Sequence, residues 1–393
     1  MFYNLLHVNQ LTATVFGNVS IDLGNNLKQP VTIKDVAMRA GCGVATVSRV
    51  LNNTGSASAE MRGRVMAATD ALGFEFSEVA RSLQSSTTRT IGCVVPSLAN
   101  PVFADAVQGA QEAFQLAGYQ TLLLCTNYDP EFEVQAIRTL TAKKVDGFVL
   151  TVSDALNSEG LKAIQARGLP HCLLFNMAPA DDLSWSVDDH SAAIKVADAF
   201  VEKGHTHVGF LALKFKSSDR ARQRYKGFVE GCSRNGMIPP PVLEIDEDSQ
   251  DLTALMKAFI AENPSITGIF ASNDFLALAT IRSARVLGLT VPNDLSIVGF
   301  DGIEVGTMVE PSLATIVTDP KLMGAGAART VLSVINGTPA PDLPDPNLTF
   351  SFRAGGSLAT SAAERVDDKR SVALSSPYNP TQKNDKNQQE RST

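Results

Sequence analysis

VTIKDVAMRAGCGVATVSRVLNNTG, residues 31–55, sets Ala, Val and Gly at helical spacing in a stretch that holds three basic residues. Thr32 can accept hydrogen bonds as a helix N-cap. Ile33, Val36, Ala37 and Ala40 fall at i, i+3, i+4 and i+7, which predicts one short helix with a narrow apolar face. Gly41 is expected to end it. After the tight turn through Cys42 and Gly43, Val44, Val47 and Leu51 supply a second apolar face and leave Ala45, Thr46, Ser48, Arg49 and Asn52 on the other sides. Two short helices joined by a glycine turn make a helix-turn-helix. The small Ala37 lets the helices approach closely, and the second helix then presents its N-terminal end to a major groove.

Helix-glycine-helix patterns also occur as ordinary core hairpins, so charge has to separate the readings. Between Pro30 and Thr90 seven Lys and Arg (Lys34, Arg39, Arg49, Arg62, Arg64, Arg81, Arg89) face five Asp and Glu (Asp35, Glu60, Asp70, Glu75, Glu78), a net +2. The whole chain carries -7, which leaves -9 for everything else. This small segment has the cationic bias that phosphate contact requires.

Outward from it, the chain of 393 residues is too long for one ordinary domain, and 44% apolar with 19% charged residues is a globular mixture. Five cysteines lie far apart with no C-x-x-C pair, which suggests neither a zinc site nor a disulfide framework and fits a cytoplasmic protein. No run approaches the roughly 18 apolar residues of a membrane span. The first residues lack the basic segment of an export signal, and residues 1–29 are expected to form a disordered extension. Past residue 90, β-rich runs (IGCVVPS, YQTLLLCT, VDGFVLTVS, HCLLFNM, HVGFLAL, TGIFASND, LSIVGFD) alternate with amphipathic helical stretches at 101–118, 131–144, 190–204 and 274–288. This alternation predicts parallel sheets wrapped by helices, with too many strands for one sheet. Two doubly wound lobes with a cleft between them are expected. Residues 358–393 are polar, low in large apolar side chains, and expected to be a disordered tail.

VTIKDVAMRAGCGVATVSRVLN followed by ALGFEFSEVARSL resembles the headpiece and hinge of the lactose/galactose repressor family of bacterial transcription regulators. The resemblance continues through IGCVVPSLANPVFADAVQGAQEAFQLAGYQ, KKVDGF, FASNDFLALATIRSARVLGLTVPNDLSIVGFD and PSLATI, covering roughly residues 30–357. It implies an all-α helix-turn-helix headpiece at 30–76, a hinge helix and linker at 77–90, and a periplasmic-binding-protein-like α/β body at 91–357. In that body two doubly wound parallel-sheet lobes serve effector binding and dimerisation. One departure is visible: where such headpieces open the second helix with Val-Ser, this chain has Cys42-Gly43, which removes a side-chain acceptor at little cost in stability.

The resemblance also assigns roles. Val44 and Ala45 occupy base-reading positions, where apolar side chains touch thymine methyls, and Arg49 is the candidate for a bidentate guanine contact. Thr32, Thr46, Ser48 and Asn52 are expected at phosphates, and Leu83 matches the hinge leucine that wedges into the minor groove. Phe103, Asn176, Asp188, Arg224, Asn273 and Asp301 match effector positions: an aromatic face with Arg, Asn and Asp grips a polyhydroxyl ligand. Ser218 lies near where purine-responsive relatives carry a basic residue, which favours a sugar or sugar acid over a purine. The implied partners are a near-palindromic double-stranded DNA operator, the small-molecule effector and a second copy of the chain, with no membrane.

Other chemistry has weaker support. The sequence lacks G-x-S-x-G, H-E-x-x-H and G-x-x-x-x-G-K-[ST] motifs, so an enzyme is not expected, nor a metal or cofactor. GAGAAR at 324–329 is half of a dinucleotide fingerprint but follows TDPKLM, where a helix is already under way; close helix packing explains it better. His205 and His207 precede a strand and read as structural. A transport solute-binding protein would explain the body alone, and a nucleotide-dependent enzyme would need a phosphate loop that is missing.

Overall fold

The computed structural model describes residues 31–52, 55–74, 87–178, 182–246, 251–339, the backbone of 347–348, and 350–361. Hinge residues 77–86 with Leu83, the extension 1–29, and the tail beyond 361 lie outside the described residues. The chain divides into two compact units, 1–86 and 87–393.

Among the described residues of the first unit are three helices, α1 (Ile33–Ala40), α2 (Val44–Leu51) and α3 (Ala59–Leu72). At the start of α1, the Asp35 carboxylate accepts from Thr32 N at 2.8 Å and from Thr32 Oγ1 at 2.7 Å, in the manner of a capping box, and burial is too slight to offset these bonds, which lower the Asp35 pKa. Gly41 ends the helix in the left-handed region at φ 64°, where a side chain would be strained. Val36, Ala37, Ala40, Val47, Val50, Val65 and Ala68 form the core, and Arg64 donates from Nη2 to the α1 terminal carbonyls of Ala40 and Gly41 at 2.5 and 3.2 Å. The buried pair on α2 is Val47 and Val50. Val44, expected on the apolar face, is 40% exposed, and Leu51 is only half-buried. With α3 crossing behind, the packed stripe turns by one residue from the spacing read on α2 alone.

Among its described residues the second unit contains two six-stranded sheets. Its elements in chain order are β1 (Thr90–Val95), α4 (Pro101–Leu116), β2 (Gln120–Cys125), α5 (Pro130–Ala142), β3 (Gly147–Leu150), α6 (Glu159–Gln165), β4 (His171–Leu174), β5 (Ser184–Val187), α7 (Asp189–Glu202), β6 (Val208–Leu213), α8 (Asp219–Arg234), β7 (Val242–Ile245), α9 (Leu252–Glu262), β8 (Gly268–Ala271), α10 (Asp274–Val286), β9 (Ser296–Asp301), α11 (Val305–Met308), β10 (Ala314–Val317), α12 (Pro320–Asn336), β11 (Asn347–Leu348) and β12 (Ser351–Arg353). The first lobe's sheet runs β11-β5-β4-β3-β1-β2 and the second's β12-β10-β9-β8-β6-β7. Pairing is parallel throughout except for β12, which runs antiparallel to β10. Parallel strands covered on both faces are apolar along their length, as in β3 and β8.

The lobes are not consecutive in the chain. It leaves the first lobe after β5, returns through α12, which packs on α4, and crosses again between β11 and β12. The return of α12 gives GAGAAR its physical reason. A Cβ on Gly324 would lie 1.8 Å from the Ala106 carbonyl oxygen of α4, and one on Gly326 would lie 2.2 Å from the Trp185 ring. His205 is buried, with Nδ1 2.7 Å from Thr267 Oγ1 and Nε2 3.0 Å from the Ala359 carbonyl. Residues 358–361, placed in the tail by sequence, therefore touch the body: Ala359 N also donates to Ser296 Oγ and Ser361 N to the Lys203 carbonyl.

Candidate functional site

Two surfaces gather the residues singled out by sequence, one on each unit. On the headpiece, Thr32, Val44, Ala45 and Arg49 are exposed, and Thr46, Ser48 and Asn52 are half-buried. Val44, Ala45, Ser48 and Arg49 stand at i, i+1, i+4 and i+5 of α2, which is one continuous strip opposite the buried Val47 and Val50. Arg49 donates from Nε to the Ala45 carbonyl one turn back, at 3.2 Å, which lays its stem along the helix. Asn52 donates from Nδ2 to Ser48 Oγ at 3.2 Å, so these two polar side chains hold one another. Gly43 caps α2 in extended conformation without a side-chain acceptor, leaving the first α2 amides exposed at the tip.

In the body a cleft opens between the lobes. Asn100, Val102, Phe103, Tyr128 and Phe175 line it from the first lobe, and Ser218, Arg220, Arg224, Ser272, Asn273 and Asp301 from the second. Its position follows from the fold: these residues sit at the carboxyl ends of strands or the amino ends of the following helices, where parallel sheets leave a crevice. Phe103 stands edge-on to Phe175, ring centres 5.3 Å apart, with Tyr128 at 6.2 Å. Tyr128, Phe175 and Asp301 have φ of 57°, 69° and 115°, a conformation that non-glycine residues rarely adopt and that clusters at functional sites.

The second lobe supplies the charge. Arg224 donates from Nε to Asp189 Oδ1 at 2.7 Å and from Nη1 to the Ser272 carbonyl at 2.5 Å. Its guanidinium carbon lies 3.5 Å above the Phe300 ring centre, and Asp301 Oδ1 is 3.7 Å from Nη1. Burial pushes the Asp301 carboxyl up to about 6, against the pull of Arg224, and Asp274 up to about 7 with the Asp301 charge adding to the effect. Asp274 accepts from Thr315 Oγ1 and from the amides of Gly302 and Ile303, which fixes the turn that carries Asp301.

Sequence reasoning named six residues for this site, and the structure groups four of them. Phe103, Arg224, Asn273 and Asp301 line the cleft. Asn176 and Asp188 do not. Asn176 is fully buried; its Oδ1 accepts from Val152 N, and its Nδ2 donates to the Val152 carbonyl and to both oxygens of Asp219 at 2.9 Å. It thereby ties the first lobe to the start of α8, where Arg222 also reaches Asp154 at 2.8 Å. Asp188 accepts from Ser191 N as the N-cap of α7, where the chain first crosses between lobes. Arg220 was missed by sequence. It is 6% exposed, lines the cleft, and uses Nη1 on the Val152 carbonyl at 2.9 Å and on Asp219 at 3.2 Å, while Nη2 has no hydrogen-bond partner among the described residues. Among the described residues no helix is long and apolar enough to cross a membrane.

Known proteins resemble both units. A family model described as periplasmic binding proteins and sugar binding domain of LacI family matches residues 88–348, and one described as bacterial regulatory proteins, lacI family, matches 32–76. The HTH-type transcriptional regulator GntR of Escherichia coli (strain K12) is 32% identical over 335 residues, covering 84% of this chain and 99% of that protein. The ribose operon repressor of Halalkalibacterium halodurans is 31% identical over 308 residues, 78% of this chain and 91% of that one. Among solved structures, the lac repressor dimer bound to operator and the anti-inducer ONPF superposes with a TM-score of 0.73 at 26% identity, covering 84% of this chain and all of that chain. With models matched end to end across headpiece and body, the chain belongs to the LacI family of bacterial regulatory proteins.

Proposed function

We propose that the protein is a DNA-binding transcription regulator, a repressor, whose operator affinity is set by a small polyhydroxyl effector in the cleft between the lobes. The observation that carries this reading is the joining, in one chain, of a helix-turn-helix with a strip of exposed Val44, Ala45 and Arg49 and half-buried Ser48 and a two-lobed body with a polar, aromatic-lined cleft. Val44 and Ala45 offer apolar contact to thymine methyls and Arg49 a fork for guanine O6 and N7, while Thr32, Thr46, Ser48 and Asn52 serve phosphates and register. Leu83 is assigned the minor-groove wedge on the resemblance alone.

The protein acts as a homodimer on a near-palindromic site, because two-fold symmetry doubles the readout of one small headpiece. The effector is a sugar or sugar acid: Phe103 supplies an apolar face, and Arg224, Asn273 and Asp301 supply donors and acceptors. The relatives support this class, since one is named for a ribose operon and another was solved with operator and an anti-inducer. The ligand controls DNA binding only through its different affinities for the two lobe arrangements. Anisotropy titrations of the full chain on DNA fragments upstream of its own gene and neighbouring operons, with scrambled DNA as control, test the reading. Preference for one fragment that changes on adding sugars or sugar acids supports it, and equal binding to all DNA opposes it.

A further inference from the structure

Resting on that reading of the cleft, we propose that Arg220 is its specificity-determining residue and selects a ligand carrying a carboxylate, a sugar acid over the matching neutral sugar. A guanidinium has five N–H donors and cannot shed its charge, and leaving one of its nitrogens buried and unpaired carries a desolvation cost. Arg220 is 94% buried by its 6% exposure and lines the cleft, yet its Nη2 finds no acceptor among the described residues. Its Nη1 is already held by the Val152 carbonyl and Asp219, so the side chain is fixed in place with Nη2 in reserve. Arg224 differs: its Nε and Nη1 are engaged by Asp189 and Ser272, and its plane rests on Phe300. A ligand oxygen is the acceptor that completes Arg220.

The surrounding charge favours an anionic oxygen. Three long helices begin at the cleft, α4 at Asn100, α8 at Ser218 and α10 at Asn273, each capped by the residue that lines it. Helix amino ends carry partial positive charge that stabilises a nearby anion. Against them stands one lining carboxylate, Asp301, which Arg224 faces at 3.7 Å. Asp219 pairs with Arg220 at 3.2 Å and Asp189 with Arg224 at 2.7 Å, so the positive field left for a ligand carboxylate is that of the unpartnered Arg220 Nη2 and the three helix ends, with Asp301, Asn100 and Asn273 left for hydroxyls.

Binding to the full-length protein is measured by calorimetry with matched pairs that differ in one group: D-glucuronate against D-glucose, D-galacturonate against D-galactose, and D-gluconate and D-galactonate against their alditols. At least one acid is expected to bind more tightly than its neutral partner. In Arg220→Met that acid loses about tenfold or more in affinity, near 1.4 kcal/mol, and its preference over the neutral partner collapses. Arg220→Lys, which keeps the charge and a donor, retains part of the preference, and melting curves without ligand verify that both variants fold. Tighter binding of a neutral partner, or an acid preference unchanged in Arg220→Met, overturns the carboxylate assignment while leaving the cleft as the site. Acid binding that survives both Arg220→Met and Arg224→Met removes the effector from the cleft and overturns the functional reading as well. Absence of binding by every acid in the series overturns the assignment.

Discussion

Arg224 and Asp189 form a buried pair, Nε to Oδ1 at 2.7 Å, with 11% and 4% of their side chains exposed. The pair joins α8 to the first turn of α7, and it makes Arg224 a structural residue as well as a cleft residue. Burial raises the Asp189 pKa and the Arg224 charge opposes that rise, so each member is tolerated because the other is present.

Arg224→Ala is accordingly expected to lose about 3–5 kcal/mol of stability, because it strands a buried carboxylate. Combining Arg224→Met with Asp189→Leu is expected to recover most of that loss, as apolar replacement of buried ion pairs commonly does. Urea unfolding of the two variants checks this. Equal destabilisation in the single and combined variants would refute the pairing.

The α4–α12 contact rests on two glycines. A Cβ at Gly324 would sit 1.8 Å from the Ala106 carbonyl oxygen, and one at Gly109 2.1 Å from that of Lys321, so neither helix can yield without moving its backbone. Gly324→Ala is expected to cost about 3 kcal/mol or more through overpacking, despite the better helix propensity of alanine. The shift in the urea midpoint measures it.

Asp301 gives a pH signature. Its folded pKa of about 6 lies above the ordinary 3.8, so between those values the folded state holds a proton that the unfolded state has released. Stability from this group is present at low pH and is lost as pH rises through that window. Asp274 acts in the same direction. Asp301→Asn is expected to match wild type near pH 4 and to exceed it increasingly up to about pH 6, by on the order of 2–3 kcal/mol. Chemical denaturation across that range reads the difference, and parallel curves would contradict it.

At Gly43 the backbone is extended, φ -77° and ψ 151°, and a Cβ meets nothing within 4 Å. Gly43→Ser is therefore expected to add a cap to α2 worth a few tenths of a kcal/mol. A higher melting temperature of the headpiece transition in the full chain is the predicted result.

What was legible in sequence follows from how locally each feature is determined. Thr32, Gly41 and the spacing of Val36, Ala37 and Ala40 specify α1 by themselves, and seven apolar runs marked strands, six of them buried along nearly their whole length and one, β2, at a sheet edge. Of the other five strands, β5 is the polar SWSV, β7, β11 and β12 are short and lie at sheet margins, and β10 is the four-residue ATIV. Val50 replaced Val44 in the core because the packing of α1 and α3 around α2, which the spacing within α2 does not encode, selects which stripe is covered. The cleft divides in the same way. Asn273 and Asp301 sit in motifs whose strand-end position places them at the crevice and Arg224 on the second turn of α8 beside it, whereas Asn176 depends on Asp219, a residue 43 positions away that no local pattern links to it. Arg220 was hidden because RARQR offers three arginines at alternate positions, and only the packed structure tells which one keeps a nitrogen unpaired.

Control of α2-mediated DNA recognition by the cleft is tested most directly by one anisotropy titration of an operator fragment. It uses the full-length chain and Arg49→Ala, each with and without a saturating sugar acid from the matched series. Wild type is predicted to prefer the operator over scrambled DNA and to change its operator affinity when the acid is added. Arg49→Ala is predicted to bind the operator about 1–3 kcal/mol more weakly, with relaxed preference at one base of each half-site and the acid still bound. Operator affinity indifferent to a saturated cleft, or a wild-type specificity that Arg49→Ala leaves intact, would contradict the account.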